Sequence, residues 1–338
     1  MMPRERRRRR SKRSPGGAPL PQTTRAVLRV FQANSLAGDI DVGGPTRSTL
    51  LSRRIMADQI IYLDTNHISG LARNSGASQH ADALSVLRSS GVRIAFSVLH
   101  MVELSDPAFK SFADVCGLLD SLSVAWAILP TKLFDREVEA AVAVGMGAQP
   151  PRVRAFFETP AAALNYPALE RGLPSAALEA MRENPELRRG LLDLATDHAR
   201  EYDLVKTWAA AVERPLEPLL ARIRAQQIRT TPSGIHLLEP FPPELILERA
   251  GGLSACPAYE VYQSLNVTRL RDPKYRTVRN TIMDEWHAAY TPYVSVMALD
   301  KATARRFRST RLPVAERVAE RIDEIPSILA RGWTEPMS

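Results

Sequence analysis

The chain predicts an α/β fold with a central, mostly parallel sheet and a large helical insertion, and three observations carry that prediction. Short apolar runs that end on polar residues are each followed by amphipathic segments, in the order strand, helix, strand, helix. From about residue 107 to 275 the sequence changes to helical segments punctuated by Pro and Gly. The strand-and-helix pattern then resumes with "TVRNTIMDEWHAAYTPYVSVMALDKATARRFRS".

"QIIYLDTN" is a short apolar run bounded by turn formers, which suits a strand buried on both faces of a parallel sheet. "HISGLARN" and "ASQHADALSVLRSSG" predict helix up to Gly91, a terminating glycine. "VRIAFSVLHMVELSD" begins as a second strand around Ile94 to Phe96 and passes into a helix bearing Glu103. "FADVCGLLDSLSVAWAIL" still fits an α/β unit, and residues 186–228 predict an amphipathic helix or helix pair packed on the body. A helix carrying Asp284 and His287 then leads to an apolar strand from Tyr293 to Leu299 that ends on Asp300. The tail "PVAERVAERIDEIPSILARG" predicts one more amphipathic helix and a last short element.

A length of 338 residues, 45% hydrophobic and 24% charged, describes an ordinary globular protein of one large or two medium domains. No window reaches the roughly 18 apolar residues that a membrane-spanning helix needs, and no secretory apolar region follows the basic start, so a cytoplasmic location without membrane contact is expected. Cys116 and Cys256 are isolated from each other and from histidines at ligand spacing, which supports neither a disulfide framework nor a zinc site. The net charge of +8 is misleading. Residues 1–55 hold 13 Lys and Arg against three acids, leaving 32 basic and 34 acidic residues in 56–338. The body is therefore not basic, and the pI is no argument for a polyanion partner.

Segment 1–55, with "RERRRRRSKRSPGGAPLPQTTR", is expected to be disordered. It reads either as a basic arm for nucleic acid or as an extension upstream of a start at Met56, just before the first strand; the second reading is the more economical. A targeting peptide is disfavoured because "AVLRVF" is short and interrupted by Arg29.

The carboxylates form a constellation. In an open α/β sheet, ligands bind at the carboxyl ends of the strands. Asp64 and Asp300 each end an apolar run, Glu103 follows the second strand by about one helical turn, and Asp284 lies on the helix before the last strand. Each acid alone reads as a helix cap or turn former. Together they predict one acidic pocket, where like charges call for a hard divalent cation such as Mg²⁺ or Mn²⁺.

Here "YLDTN", "FSVLHMVEL" and "DEWHAAYTPYVSVMALDKATARRF" resemble the PIN-domain nucleases, over roughly a third of the chain. The resemblance implies a three-layer α/β/α fold, with Asp64, Glu103, Asp284 and Asp300 as the metal-binding and catalytic acids. The activity implied is metal-dependent hydrolysis of phosphodiesters, RNA being favoured because most of the family acts there. Glu103 would be a ligand or would orient the attacking water, and His287 would touch phosphate or fix Asp284. Phosphate contacts are expected from Lys274, Arg276 and Arg279 before the site and from Lys301, Arg305 and Arg306 after Asp300; Asn66 is a further substrate contact and Ser97 a supporting polar group. The other histidines share no spacing with one another and receive no role. Ala298 and Leu299 stand where the family often has Thr or Ser. The insertion is also far longer than in the small toxin-type members, which makes a simple toxin the less expected reading.

The expected organisation is a basic extension at 1–55, the first part of a PIN-like domain at 56–130, a mainly helical insertion at 131–274, and the second part at 275–338. The insertion would shape the substrate channel or dock a protein partner or inhibitor. The competing function is a non-catalytic module that binds nucleic acid or protein on the same fold. A phosphatase-like hydrolase with Asp64 as nucleophile predicts a second Asp two residues on, and Asn66 occupies that position.

Overall fold

Gln59–Leu63 forms the first strand, β1, and its place inside the sheet explains its composition. Ile61, Tyr62 and Leu63 are at most 1% exposed, because a central parallel strand is covered on both faces and must be apolar along its length. The computed structural model describes residues 59–74, 78–164, 172–211, 252–270 and 277–331. The basic extension, Met56, Lys274 and Arg276 lie outside the described residues.

Five further strands join β1: β2 (Val92–Ser97), β3 (Val124–Ala127), β4 (Phe156–Phe157), β5 (Val296–Ala298) and β6 (Val318–Ala319). Their order is β4-β3-β2-β1-β5-β6, with every pairing parallel except the antiparallel edge pair β3 and β4. The chain runs outward from β1 through β2 and β3, then returns to the other side of β1 as β5. That reversal makes the junction of β1 and β5 a topological switch point, the place where open α/β sheets bind ligands.

Helices join the strands. Helix α1 (Thr65–Arg73) leaves β1 at Asp64, and α2 (Ser78–Leu87) leads to a turn in which Gly91 has a φ of 84°, a conformation glycine adopts without strain. Helix α3 (Val98–Leu104) leaves β2 directly, and α4 (Phe112–Asp120) precedes β3. Then follow α5 (Pro130–Gly145), α6 (Pro160–Leu164), α7 (Pro174–Glu183) and α8 (Pro185–Ala211). Four of these begin with proline, whose missing N–H costs nothing in a first turn. After α9 (Pro257–Leu270) come α10 (Arg279–Ala288), α11 (Lys301–Ser309) and α12 (Ile325–Leu329).

Helix α4 packs against α1 and α7, α2 packs against α12, and α8 runs along α10. Helix α9 touches α5, α10 and α11. Buried Glu137 of α5 fastens this side: it accepts the N–H groups of Ala258 (2.7 Å) and Tyr259 (3.0 Å) in the first turn of α9 and the hydroxyl of Tyr293 (2.6 Å). Segment 131–274 is thus mainly helical among the described residues, and it also supplies β4 to the sheet edge. All described residues belong to one compact unit.

The structure corrects two expectations of local structure. The strand expected from Tyr293 to Leu299 is only Val296–Ala298, because Pro292, with its fixed φ and no N–H, turns Thr291–Tyr293 into a 3₁₀ turn. The tail is not one amphipathic helix. It is a 3₁₀ turn at Pro313–Arg317, then β6, a second 3₁₀ turn at Ile322–Glu324, and α12. Arg317 pins the first of these by donating to the carbonyls of Pro292 (3.3 Å) and Val294 (3.1 Å), which brings Val318 and Ala319 alongside β5. Among the described residues no helix is long and apolar enough to cross a membrane.

Candidate active site at the carboxyl ends of the strands

Asp64 sits where β1 passes into α1 and, at 7% exposure, is nearly buried. Its Oδ1 accepts the backbone N–H of His67 (2.9 Å) and contacts His67 Nδ1 (2.7 Å), so the carboxylate caps α1. Its Oδ2 accepts the N–H of Asp300 (2.7 Å), and the Asp64 N–H donates to the Ala298 carbonyl (2.9 Å). The ends of β1 and β5 are therefore laced together at the switch point. Of about four lone-pair positions on a carboxylate, three on Asp64 are taken and one on Oδ2 remains.

Asp300 caps α11 through Oδ1, which accepts from Ala302 (2.8 Å) and Thr303 (3.2 Å). Its Oδ2 accepts no hydrogen bond among the described residues. Glu103, on α3, uses one oxygen: Oε2 takes the Thr65 hydroxyl and lies 3.3 Å from His287 Nε2. Asp284, on α10, accepts no hydrogen bond from any described residue.

The electrostatics separate these acids. Burial pushes Asp64 up, but the hydrogen bonds from His67 outweigh it and hold the carboxyl below its ordinary range, while His67 is raised in return. Glu103 and His287 form a second pair of the same kind: burial opposes both charges, and their mutual attraction lowers Glu103 and raises His287. Asp284 has no such relief. Burial and then the charge of Asp300, with Glu103 and Asp64 adding to it, push Asp284 up to about 7, against the pull of His287.

Among the described residues, no group of three or more His, Cys, Asp or Glu side chains is arranged to hold a metal ion. The donor chemistry nevertheless fits a hard cation of the Mg²⁺ kind. Such an ion takes one or two carboxylates and completes its shell with water and substrate phosphate, without a cage built entirely of protein. The oxygens without a hydrogen-bond donor among the described residues are both of Asp284, Oδ2 of Asp300 and Oε1 of Glu103, and Oδ2 of Asp64 keeps one lone pair.

The structure treats the other expected site residues differently. His287 is buried and contacts Glu103, not Asp284. Lys301 and Arg305 are exposed on the first turns of α11, with side chains 65% and 64% accessible, and share Glu320 with Arg308. Arg306 turns inward to within 3.8 Å of buried Glu285, so it faces the interior. Arg279 is exposed at the start of α10, five residues before Asp284, and hydrogen-bonds to the neighbouring Asn280. Asn66 is exposed in the first turn of α1. Ser97 is fully buried and hydrogen-bonded to Tyr62 and His100.

Three residues of the site were given no role from sequence: His67, His100 and Tyr62. The signal for the histidines was spacing, since His67 follows Asp64 by three residues and His100 precedes Glu103 by three, the helical step that puts side chains on one face. Tyr62 is hidden in an apolar strand, where a hydroxyl has no periodic signature. No protein family, curated protein or solved structure matches this chain.

Proposed function

We propose that this chain is a metal-dependent nuclease of the PIN type, on a three-layer α/β/α fold, that hydrolyses phosphodiester bonds, RNA in preference to DNA, with Mg²⁺ or Mn²⁺ at the carboxylate edge. One observation carries the reading: half-buried Asp284 has no hydrogen-bond donor among the described residues, and the charges of Asp300, Glu103 and Asp64 all oppose its ionisation, which is a deficit of positive charge at a switch point. A divalent cation would supply the Lewis acidity that phosphodiester hydrolysis needs and would neutralise charge on the phosphate.

Asp284, Asp300 and Glu103 Oε1 are the oxygens that would hold the cation. Asp64 keeps the ends of β1 and β5 in register and offers its remaining lone pair. Glu103 is the acid best placed to orient a water, because Thr65 and His287 fix one of its oxygens and leave the other open. Lys301 and Arg305, exposed beside Asp300, are the groups to contact substrate phosphates.

A second reading is a module that binds nucleic acid or protein without cutting. It is favoured by the absence of a ready-made metal cage among the described residues and by His67, which already balances the charge of Asp64. The full chain with Mn²⁺ or Mg²⁺ and end-labelled single-stranded RNA and DNA separates the two. Cleavage by wild type that is lost in D284N supports the nuclease; binding to the same strands with no cleavage of any of them favours the module.

A further inference from the structure

Beneath the carboxylate edge four side chains form an unbroken hydrogen-bonded line through the core: His287, Tyr62, Ser97 and His100 are each at most 2% exposed. One end is fixed by the backbone. The Ser97 N–H donates to His100 Nδ1 (3.0 Å), so that nitrogen carries no proton and Nε2–H donates to the Leu63 carbonyl (2.7 Å). The Ser97 hydroxyl lies 3.1 Å from the same His100 nitrogen and 2.9 Å from the Tyr62 hydroxyl. The Tyr62 hydroxyl reaches His287 Nδ1 at 2.6 Å, and the other nitrogen of that ring lies 3.3 Å from Glu103 Oε2. The Tyr62 ring is held independently by stacking on Tyr290, with centroids 5.2 Å apart.

Apolar residues would fill this volume without the desolvation cost of four polar side chains. The line ends at a strand carbonyl on one side and at Glu103 on the other, and Glu103 is its most accessible member, its side chain 28% exposed. We propose that Tyr62 is a positioning residue: through His287 it fixes Glu103 with Oε2 committed and Oε1 turned to the cation. The proposal rests on the metal-dependent reading of the site. Its logic is that of metal centres whose outer hydrogen-bond partners set the orientation of the ligands.

The test uses the full chain with Mn²⁺ alone as the probe, titrated by electron paramagnetic resonance into wild type, Y62F, E103Q and Y62F/E103Q. Y62F removes one hydroxyl and keeps the ring. Its Kd for Mn²⁺ is expected to rise by about 10-fold or more. Added to E103Q, it should weaken binding by less than about twofold, because Tyr62 acts only through Glu103. Unchanged Mn²⁺ affinity in Y62F, or losses that multiply in the double variant, overturn the proposal. If Y62F does not fold, S97A, which removes the partner that orients the Tyr62 hydroxyl and keeps its bond to His287, replaces it: a smaller rise in Kd is expected, absent in the E103Q background, and an unchanged Kd or a loss that persists in E103Q overturns the proposal. Should wild type neither bind Mn²⁺ nor cut nucleic acid, the nuclease reading has failed, and metal-free thermal denaturation of the same four proteins decides the positioning role. Non-additive losses there support the link from Tyr62 to Glu103, and additive losses overturn it.

Discussion

Two carboxylates, buried Glu137 and half-buried Asp284, are both pushed up to about 7, yet their surroundings are opposite. Glu137 loses water but gains three donors, two from the first turn of α9 and one from Tyr293, and burial still outweighs them. Asp284 loses water, gains no donor among the described residues, and faces other acids. A raised carboxyl is therefore no mark of function by itself. What distinguishes Asp284 is unmet demand for positive charge, whereas both oxygens of Glu137 accept hydrogen bonds and join three elements.

The sharpest way to break this contrast is to neutralise each acid. D284N should reduce Mn²⁺-dependent cleavage by at least about 100-fold, the upper end of what loss of an outer hydrogen-bond partner costs a metal site. It should also raise the metal-free Tm at pH 8, because a carboxylate repelled by its neighbours is removed. A D284N protein that cuts like wild type, or that melts several degrees lower, would falsify the assignment. Mn²⁺ at 100 times Kd should stabilise wild type by about 2.7 kcal/mol, read as a rise in Tm, and leave the Tm of D284N unchanged.

E137Q should show the reverse pattern. Its amide turns an NH₂ toward a backbone or hydroxyl donor, which costs about 1–3 kcal/mol, while cleavage per folded molecule stays within twofold or so of wild type. Its pH dependence has a definite sign. Burial raises folded Glu137 from 4.5 to about 7, so between those values the folded state holds the extra proton and wild-type stability falls as pH rises. E137Q lacks that loss, and its stability deficit should narrow from pH 5 to pH 8; a deficit that widens contradicts the assignment.

The smallest effects are expected at the surface. K301A/R305A should leave stability within about 0.5 kcal/mol, as exposed ion pairs contribute little. It should weaken single-stranded nucleic acid and lower the salt slope of binding by up to about one per residue. An unchanged slope would move the substrate path away from α11.

How much of this was legible in the sequence follows from the kind of signal each feature carries. Asp64 and Asp300 were visible because a buried parallel strand is an apolar run, and an acid at its end stands out. Their adjacency followed from the order of elements, which returns β5 to the side of β1. Strand β6 was not visible: Val318 and Ala319 are too short for any period, and it is Arg317 binding two distant carbonyls that places them. The line from His287 to His100 was equally hidden, since its partners lie as far as 225 residues apart and only the folded sheet joins them. Spacing would have nominated His67 and His100, but orientation decides what a histidine touches.

The bond from the Asp300 N–H to Asp64 joins positions separated by 236 residues. Of the four acids, Asp64 and Glu103 are therefore present early in synthesis, long before Asp284 and Asp300 and the strand that brings Asp300 alongside Asp64. A nascent or truncated chain that stops before β5 has Asp64 without its neighbour and a sheet without its switch point. The timing of translation thus sets the moment at which the carboxylates first share a space.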